Sequence, residues 1–228
     1  NMKYGIENGA PEEKCTLFRY GNLLDPLHWI DPTKRNNADA QIDDLGLKNK
    51  KFLTTISRLE TSKYIEHVIF TVQELRNRQI DVYALIIGDG SHRKEFENLA
   101  ISKGISDYIK FAGSCKQEFI ANILPRSSVI LSPHMGRGLT EAALSGVPIV
   151  GYDYDWQREV IINNKTGYLI EHENWMAMSD AVEYLLSNQN IADKLGKNAR
   201  DHIAQMMNPE KLNTHEKNSY SSIIESEL

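Results

Sequence analysis

Ser132–Val150, SPHMGRGLTEAALSGVPIV, is the stretch whose reading decides the fold. The apolar run Ser128–Leu131 leads into it and ends at Ser-Pro, followed by a glycine-rich turn at Gly136 and Gly138. A short amphipathic helix opens near Leu139, with Glu141 in its first turn, and Gly146 closes it before the apolar run Val147–Val150. This reads as strand, glycine loop, helix, strand. A helix N-terminus offers unsatisfied N–H groups and the positive end of the macrodipole, so the loop Gly136–Leu139 is expected to bind an anion. A carboxylate one turn further repels phosphate but accepts hydrogen bonds from sugar hydroxyls. Phosphate on the loop and a polyol on Glu141 describe a nucleotide.

The same rhythm extends on both sides. Phe52–Ser57, Asp81–Ile87, Tyr108–Phe111, Ser127–Leu131, Val147–Gly151 and Gly167–Ile170 read as strands. Between them, Tyr64–Arg78 repeats apolar residues at helical spacing (Ile65, Val68, Ile69, Val72, Leu75), and Arg93–Lys103 and Gln117–Leu124 are predicted helices. From Trp175 onward the pattern is helical. Strands alternating with helices predict an α/β fold: a single Rossmann-like, doubly wound parallel sheet of about six strands, flanked by helices and ending in C-terminal helices. Ligands on such sheets sit at the carboxyl ends of the strands, near the switch point.

Candidate site residues are read at that edge. Arg58 follows the first strand and Lys63 opens the next helix; a guanidinium fork and a mobile ammonium suit a diphosphate, against the alternative of two solvated surface cations. Gly88-Asp89-Gly90 lacks the spacing of a dinucleotide fingerprint and is expected to be a tight turn, with Asp89 and Ser91 as capping candidates. Gly113, Ser114 and Cys115 form a short loop able to hold a flat base through backbone groups. Cys115 has no paired histidine and is not read as a nucleophile. His134 lies in the glycine loop's approach and is read as either a ligand contact or a solvated side chain. The histidines show no metal-ligand spacing, so no metal is expected.

Composition sets the bounds. The 228 residues suffice for a sizeable core, and 41% apolar and 25% charged residues are ordinary for a globular chain. The net charge of −5 argues against nucleic acid or an anionic membrane as partner. No apolar stretch approaches a membrane span, and the polar opening NMKYGIENGAPEEK does not read as a signal peptide. Two cysteines, Cys15 and Cys115, read as free thiols of a reducing, cytoplasmic setting. Residues 1–50 are rich in turn signals, with only Cys15–Tyr20 resembling a strand, and read as the tail of another unit plus a linker.

Five ordered motifs carry a resemblance: ISRLETSK at 56–63, LIIGDGSHRKEFENLA at 85–100, FAGS at 111–114, SPHMGRGLTEAALSGVPIVGYD at 132–153 and REVIINNKTGYLI at 158–170. Together, over about residues 52–205, they resemble the carboxy-terminal, donor-binding domain of a GT-B glycosyltransferase of the retaining family 4 group. The resemblance implies that Arg58 and Lys63 bind the donor diphosphate and stabilise it as it leaves. It implies that Glu141 binds the ribose and that the N–H groups of Gly136, Arg137, Gly138 and Leu139 face the phosphates. Gly113, Ser114 and Cys115 would line the base, with His134 nearby and Glu159 in a less defined role. No cofactor is implied; the donor, a UDP or GDP sugar, is a substrate.

The sequence departs from that family in the place of its first glutamate, which Pro133 or Met135 fills here, and in Arg137. By resemblance, residues 1–50 are the end of an amino-terminal domain and a linker, 51–208 the nucleotide-binding domain, and 209–228 a helix crossing back, with Leu212, Tyr220, Ile223 and Ile224 short of cover. The expected function is the donor-binding half of a metal-independent, retaining hexosyltransferase of polysaccharide biosynthesis, acting on a glycan, lipid or other acceptor. Its partner is the amino-terminal acceptor-binding domain, which would also supply any attachment to the inner membrane face, and the half alone is expected to be inactive. Two other classes stay open: another GT-B sugar-nucleotide enzyme such as an epimerase, and a non-enzymatic Rossmann-like interaction module.

Overall fold

Strand β1 (Lys51–Ile56) carries the consecutive buried residues Phe52–Thr55, as a strand covered on both faces must. The computed structural model that shows this describes residues 2–19, 24–36 and 38–226. β1 pairs in parallel with β2 (Val82–Ile87), from Lys51↔Val82 to Ile56↔Ile87, and on its other side with β4 (Val129–Ser132) at Leu53↔Val129. β3 (Ile109–Gly113) flanks β2, while β5 (Ile149–Tyr152) and β6 (Tyr168–Ile170) continue beyond β4. The six strands pair in parallel in the order β3-β2-β1-β4-β5-β6, a doubly wound sheet as the sequence predicts. The winding reverses between β1 and β4, so the loops after these two neighbours open at the switch point.

Helix α3 (Ile65–Asn77) buries the stripe read from the sequence, Ile65, Val68, Ile69, Val72 and Leu75. Each such side chain contributes about 1.5–3 kcal/mol relative to exposure, which holds a helix too short to persist alone. α3 shares one core with α4 (Arg93–Ser102), α8 (Trp175–Ser187) and the strand residues Leu53, Ile86 and Val150. The start of α8 is fixed by Asn174, whose side chain accepts from the Ala177 N–H at 3.0 Å. α9 (Gln189–Met206) follows, burying Ala192, Leu195, Ala199 and Ile203.

The second layer contains α5 (Gln117–Ile123) and α6 (Gly138–Leu144), packed with the turn Pro26–Trp29, and α2 (Asp39–Asp44), which packs on α5. Arg35 ties this layer together. Its guanidinium donates to the carbonyls of Ala121 (2.7 Å), His28 (2.8 Å), Ile30 (3.1 Å) and Leu144 (3.1 Å). Burial, and then the charge of Arg200, lowers its pKa to about 10. Contacts group residues 26–203 as one compact unit, in which the Pro26–Trp29 turn packs on α5 and α6 and α2 packs on α5.

Residues 1–25 and 204–228 form a second unit. It contains α1 (Met2–Glu7) and α10 (Pro209–Ser226), and within it Phe18 stacks on Tyr220 at 5.8 Å between ring centres. The strand expected over Cys15–Tyr20 does not form over residues 15–19, which have irregular backbone and pair with no strand among the described residues; Tyr20 lies outside them. On α10, Tyr220, Ile223 and Ile224 are exposed and Leu212 is half-buried.

Candidate functional site

The carboxyl ends of β1 to β4 enclose a cavity of about 650 Å³ at the switch point. Arg58 and Lys63 enter it from the β1 exit, Ser114, Cys115, Gln117 and Ile120 from the β3 exit and α5, and Gly136, Arg137, Gly138 and Glu141 from the β4 exit. Close backbone packing sets this geometry. A Cβ on Gly138 would lie 3.2 Å from Ile56 Cβ, so the glycine loop sits on the end of β1. The β2 exit is tighter still: Gly88 has φ +130°, and a Cβ there would lie 1.9 Å from the Ser57 carbonyl oxygen.

The Gly88-Asp89-Gly90 turn is thus the tight connection expected, and Gly88 and Asp89 also face the cavity. The capping role expected of Asp89 and Ser91 is not seen. The residue before α4 is His92, without a side-chain cap; Asp89 accepts from the Gly90 N–H at 2.8 Å and from Arg93, and the Ser91 hydroxyl turns to Glu60. Glu60 offers a charged acceptor close by, which outcompetes the helix end.

One end of the cavity is electropositive. Among the described residues no carboxylate is within ion-pair distance of Arg58 or Lys63. Burial, then the nearby charge of Arg58, lowers the Lys63 pKa, with Asp155 partly opposing. The N–H groups of Gly136, Arg137 and Gly138 donate to no acceptor among the described residues. Leu139 differs: its N–H donates to the Gly136 carbonyl at 3.0 Å and its side chain is fully buried. Cations and free N–H groups on adjoining loops are chemically suited to hold a polyanion.

Glu141 is 4% exposed yet reaches the cavity wall, with Arg137 Nε 3.9 Å from its carboxylate. Ser114 and Cys115 line the cavity; Gly113 does not, its carbonyl accepting from the Gly88 N–H at 2.8 Å. Burial raises the Cys115 thiol pKa, and its S–H turns to the carbonyls of Gly113 and Ala112, which suits an inert thiol. His134 stands just outside the wall. Its Nδ1–H donates to the Ser62 carbonyl at 2.9 Å, 3.5 Å from Lys63 Nζ, and its ring meets Tyr154 edge-on. Neither Pro133 nor Met135 lines the cavity, nor does Glu159, whose carbonyl accepts from His202 Nε2 at 2.8 Å. Among the described residues, no three His, Cys, Asp or Glu side chains group as metal ligands, and no helix is long and apolar enough to cross a membrane.

Two residues that sequence reasoning missed organise the loops. Gln157, fully buried, accepts from the Ser132 hydroxyl and donates to the carbonyls of Pro133 (3.1 Å) and Tyr152 (2.9 Å), joining the exits of β4 and β5. Gln117 lines the cavity and is hydrogen-bonded at 2.8 Å to buried His28. In the sequence both glutamines sit in polar stretches with no distinguishing pattern.

Residues 37–202 match the family described as glycosyl transferases group 1. The chain is 26% identical over 158 residues to an alpha-D-kanosaminyltransferase of Streptomyces kanamyceticus, covering 68% of this chain and 41% of that protein. It is 26% identical over 223 residues to a poly(ribitol-phosphate) alpha-N-acetylglucosaminyltransferase of Staphylococcus aureus, covering 92% of this chain and 44% of that one. The chain therefore spans less than half the length of these curated relatives. The fold is shared with Anabaena HepE, solved in complex with UDP and glucose, at a TM-score of 0.83 and 18% identity over 97% of this chain and 60% of that one. The family match covers most of the chain, and the fold agrees with it: this protein belongs to the glycosyl transferases group 1 family.

Proposed function

We propose that this chain is the donor-binding part of a GT-B glycosyltransferase and holds a nucleoside-diphosphate sugar in the switch-point cavity. The observation that carries the reading is the pair Arg58 and Lys63, without a carboxylate partner among the described residues, on the cavity shared with the free N–H groups of Gly136, Arg137 and Gly138. The diphosphate lies among these groups, the ribose hydroxyls donate to Glu141, and the base faces Ser114 and Cys115. As the sugar–phosphate bond breaks, negative charge grows on the diphosphate, and fixed cations and N–H dipoles stabilise it without reorganising. Because two cationic side chains supply that charge, the reading is metal-independent. Relatives named for alpha products support retention of configuration.

HepE in complex with UDP-glucose and a GDP-mannose-dependent mannosyltransferase of Mycobacterium tuberculosis among the relatives support UDP or GDP sugars as donors. Glycosyl transfer also needs an acceptor oriented against the donor, which can account for about 7–11 kcal/mol of a barrier. We assign that wall of the cleft to an amino-terminal domain, since the chain spans 41% to 47% of the length of its first relatives. The test is a thermal-shift series with UDP, GDP, ADP and their sugar conjugates. A ligand at a hundred times its Kd adds about 2.7 kcal/mol of stability. A chain stabilised by none of them has no donor site.

A further inference from the structure

We propose that Gln117, oriented by His28, is a specificity-determining residue that selects a nucleobase carrying a ring carbonyl, uracil or guanine, over adenine. The inference rests on the nucleotide reading above and adds the base to it.

The cavity is polarised. Arg58, Lys63 and the free N–H groups occupy the side built on β1 and β4. The β3 exit lies two strands from β1, on the order of 10 Å across the sheet. Its wall is Ser114, Cys115, Gln117 and Ile120, with Ile87 beside them; the Asp89 carboxylate of the neighbouring β2 exit also lines the cavity and is paired with Arg93 at 3.2 Å. Ile87 and Ile120 are nearly fully buried, so what they present there is apolar, suited to the face of a ring.

Gln117 is the one side-chain amide on that wall among the described residues. An amide offers one oxygen and two N–H donors, and which of them faces the cavity depends on how it is held. His28 decides this. It is 0% exposed, and its Nε2 lies 2.8 Å from Gln117 Oε1, while its Nδ1 is buried with no hydrogen-bond partner. A buried N–H without an acceptor is rarer and costlier than a buried lone pair, so the proton sits on Nε2 and donates to the amide oxygen. The Gln117 N–H groups then point away from His28, and no acceptor among the described residues takes them. His28 is itself held in place, because Arg35 donates to its carbonyl at 2.8 Å.

The β3 end of the cavity thus carries an anchored pair of N–H donors. Their complement is a carbonyl oxygen on a flat ring. Uracil and guanine offer one, whereas adenine carries an amino group where guanine has its carbonyl, so at that position donor would meet donor.

The test is competition binding to the whole chain by UDP, GDP and ADP, with inorganic pyrophosphate as a probe lacking a base. The wild type is expected to prefer UDP or GDP over ADP by about tenfold or more, the worth of one well-made hydrogen bond. Gln117→Glu keeps an acceptor for His28 but removes both donors, and Gln117→Met removes the polar group without adding charge. Both should lower the preference about tenfold, and Gln117→Met should leave pyrophosphate affinity unchanged. Melting curves confirm that both variants fold. An unchanged UDP:ADP and GDP:ADP ratio in both variants overturns the proposal. A wild type that binds pyrophosphate and all three nucleotides equally overturns it too, leaving the diphosphate site intact. A wild type that binds no probe removes the nucleotide reading itself.

Discussion

The backbone of Gly88 lies against that of Ser57 so closely that a Cβ on Gly88 would come within 1.9 Å of the Ser57 carbonyl oxygen. Ser57 precedes Arg58, so this contact sets where the β1 exit, and with it the cation pair, can sit. Gly88→Ala should cost about 3 kcal/mol or more, from the forced positive φ together with the overlap. Gly136 is the contrast: a Cβ there meets nothing within 4 Å, and its φ is not positive. Gly136→Ala should melt as the wild type does but weaken nucleotide binding, because the added methyl group stands where a phosphate would approach. Urea titrations of both variants, with calorimetry for the second, check this; equal stability losses would refute it.

Arg58→Ala and Lys63→Ala should each weaken nucleoside-diphosphate binding by about 1.5–3 kcal/mol, the range for charge-assisted hydrogen bonds. Isothermal calorimetry reads this directly. Unchanged affinity in both would take the residues out of the site.

Binding should also depend on alkaline pH through Lys63. Burial and the Arg58 charge lower its pKa in the free protein, and a bound diphosphate favours the protonated ammonium. Affinity is therefore full at neutral pH and falls as pH rises through the lowered pKa, with a proton taken up on binding there. The free fold behaves oppositely. The unfolded chain holds this proton to higher pH, so stability rises between the folded and unfolded pKa values. Titrations in buffers of different ionisation enthalpy should show the proton uptake, and Lys63→Met should abolish it.

Glu141→Gln separates a ligand contact from a helix-dipole role. The carboxylate is nearly buried but reaches the cavity wall, and it also stands in the first turn of α6. A ribose contact predicts lost affinity with little change in melting temperature. Intact binding with a small loss of stability would assign Glu141 to the dipole alone.

Gln157→Leu should destabilise the chain by about 3 kcal/mol, because it strips partners from the buried Ser132 hydroxyl and the carbonyls of Pro133 and Tyr152. The β4 exit loop should loosen with it, read as faster amide exchange at residues 134–138. A variant as stable as the wild type would show that these groups find other partners.

Much of this protein is legible residue by residue. The alternation of apolar runs gives the order of strands and helices, the buried stripe of α3 is visible as Ile65, Val68, Ile69, Val72 and Leu75, and the glycine loop announces itself between two apolar runs. Arg58, Lys63, Gly136 and Glu141 could be placed at one sheet edge because, in a parallel sheet, every strand exit of one sense lies on the same side. Periodicity and turn chemistry are local, so the sequence alone carries them.

What only the tertiary structure decided is which distant groups meet. Gln117 is held by His28, 89 residues away, and the Leu144 carbonyl is held by Arg35, 109 residues away. Gln157, five residues after β5 ends, reaches the Pro133 carbonyl at the β4 exit, and the turn Pro26–Trp29, without a periodic signal, packs on α5 and α6. None of these partnerships has a period or a spacing. A buried polar group takes whichever partner the closed fold brings within hydrogen-bond reach, and that choice exists only once the hydrophobic layers have set the distances between chain segments.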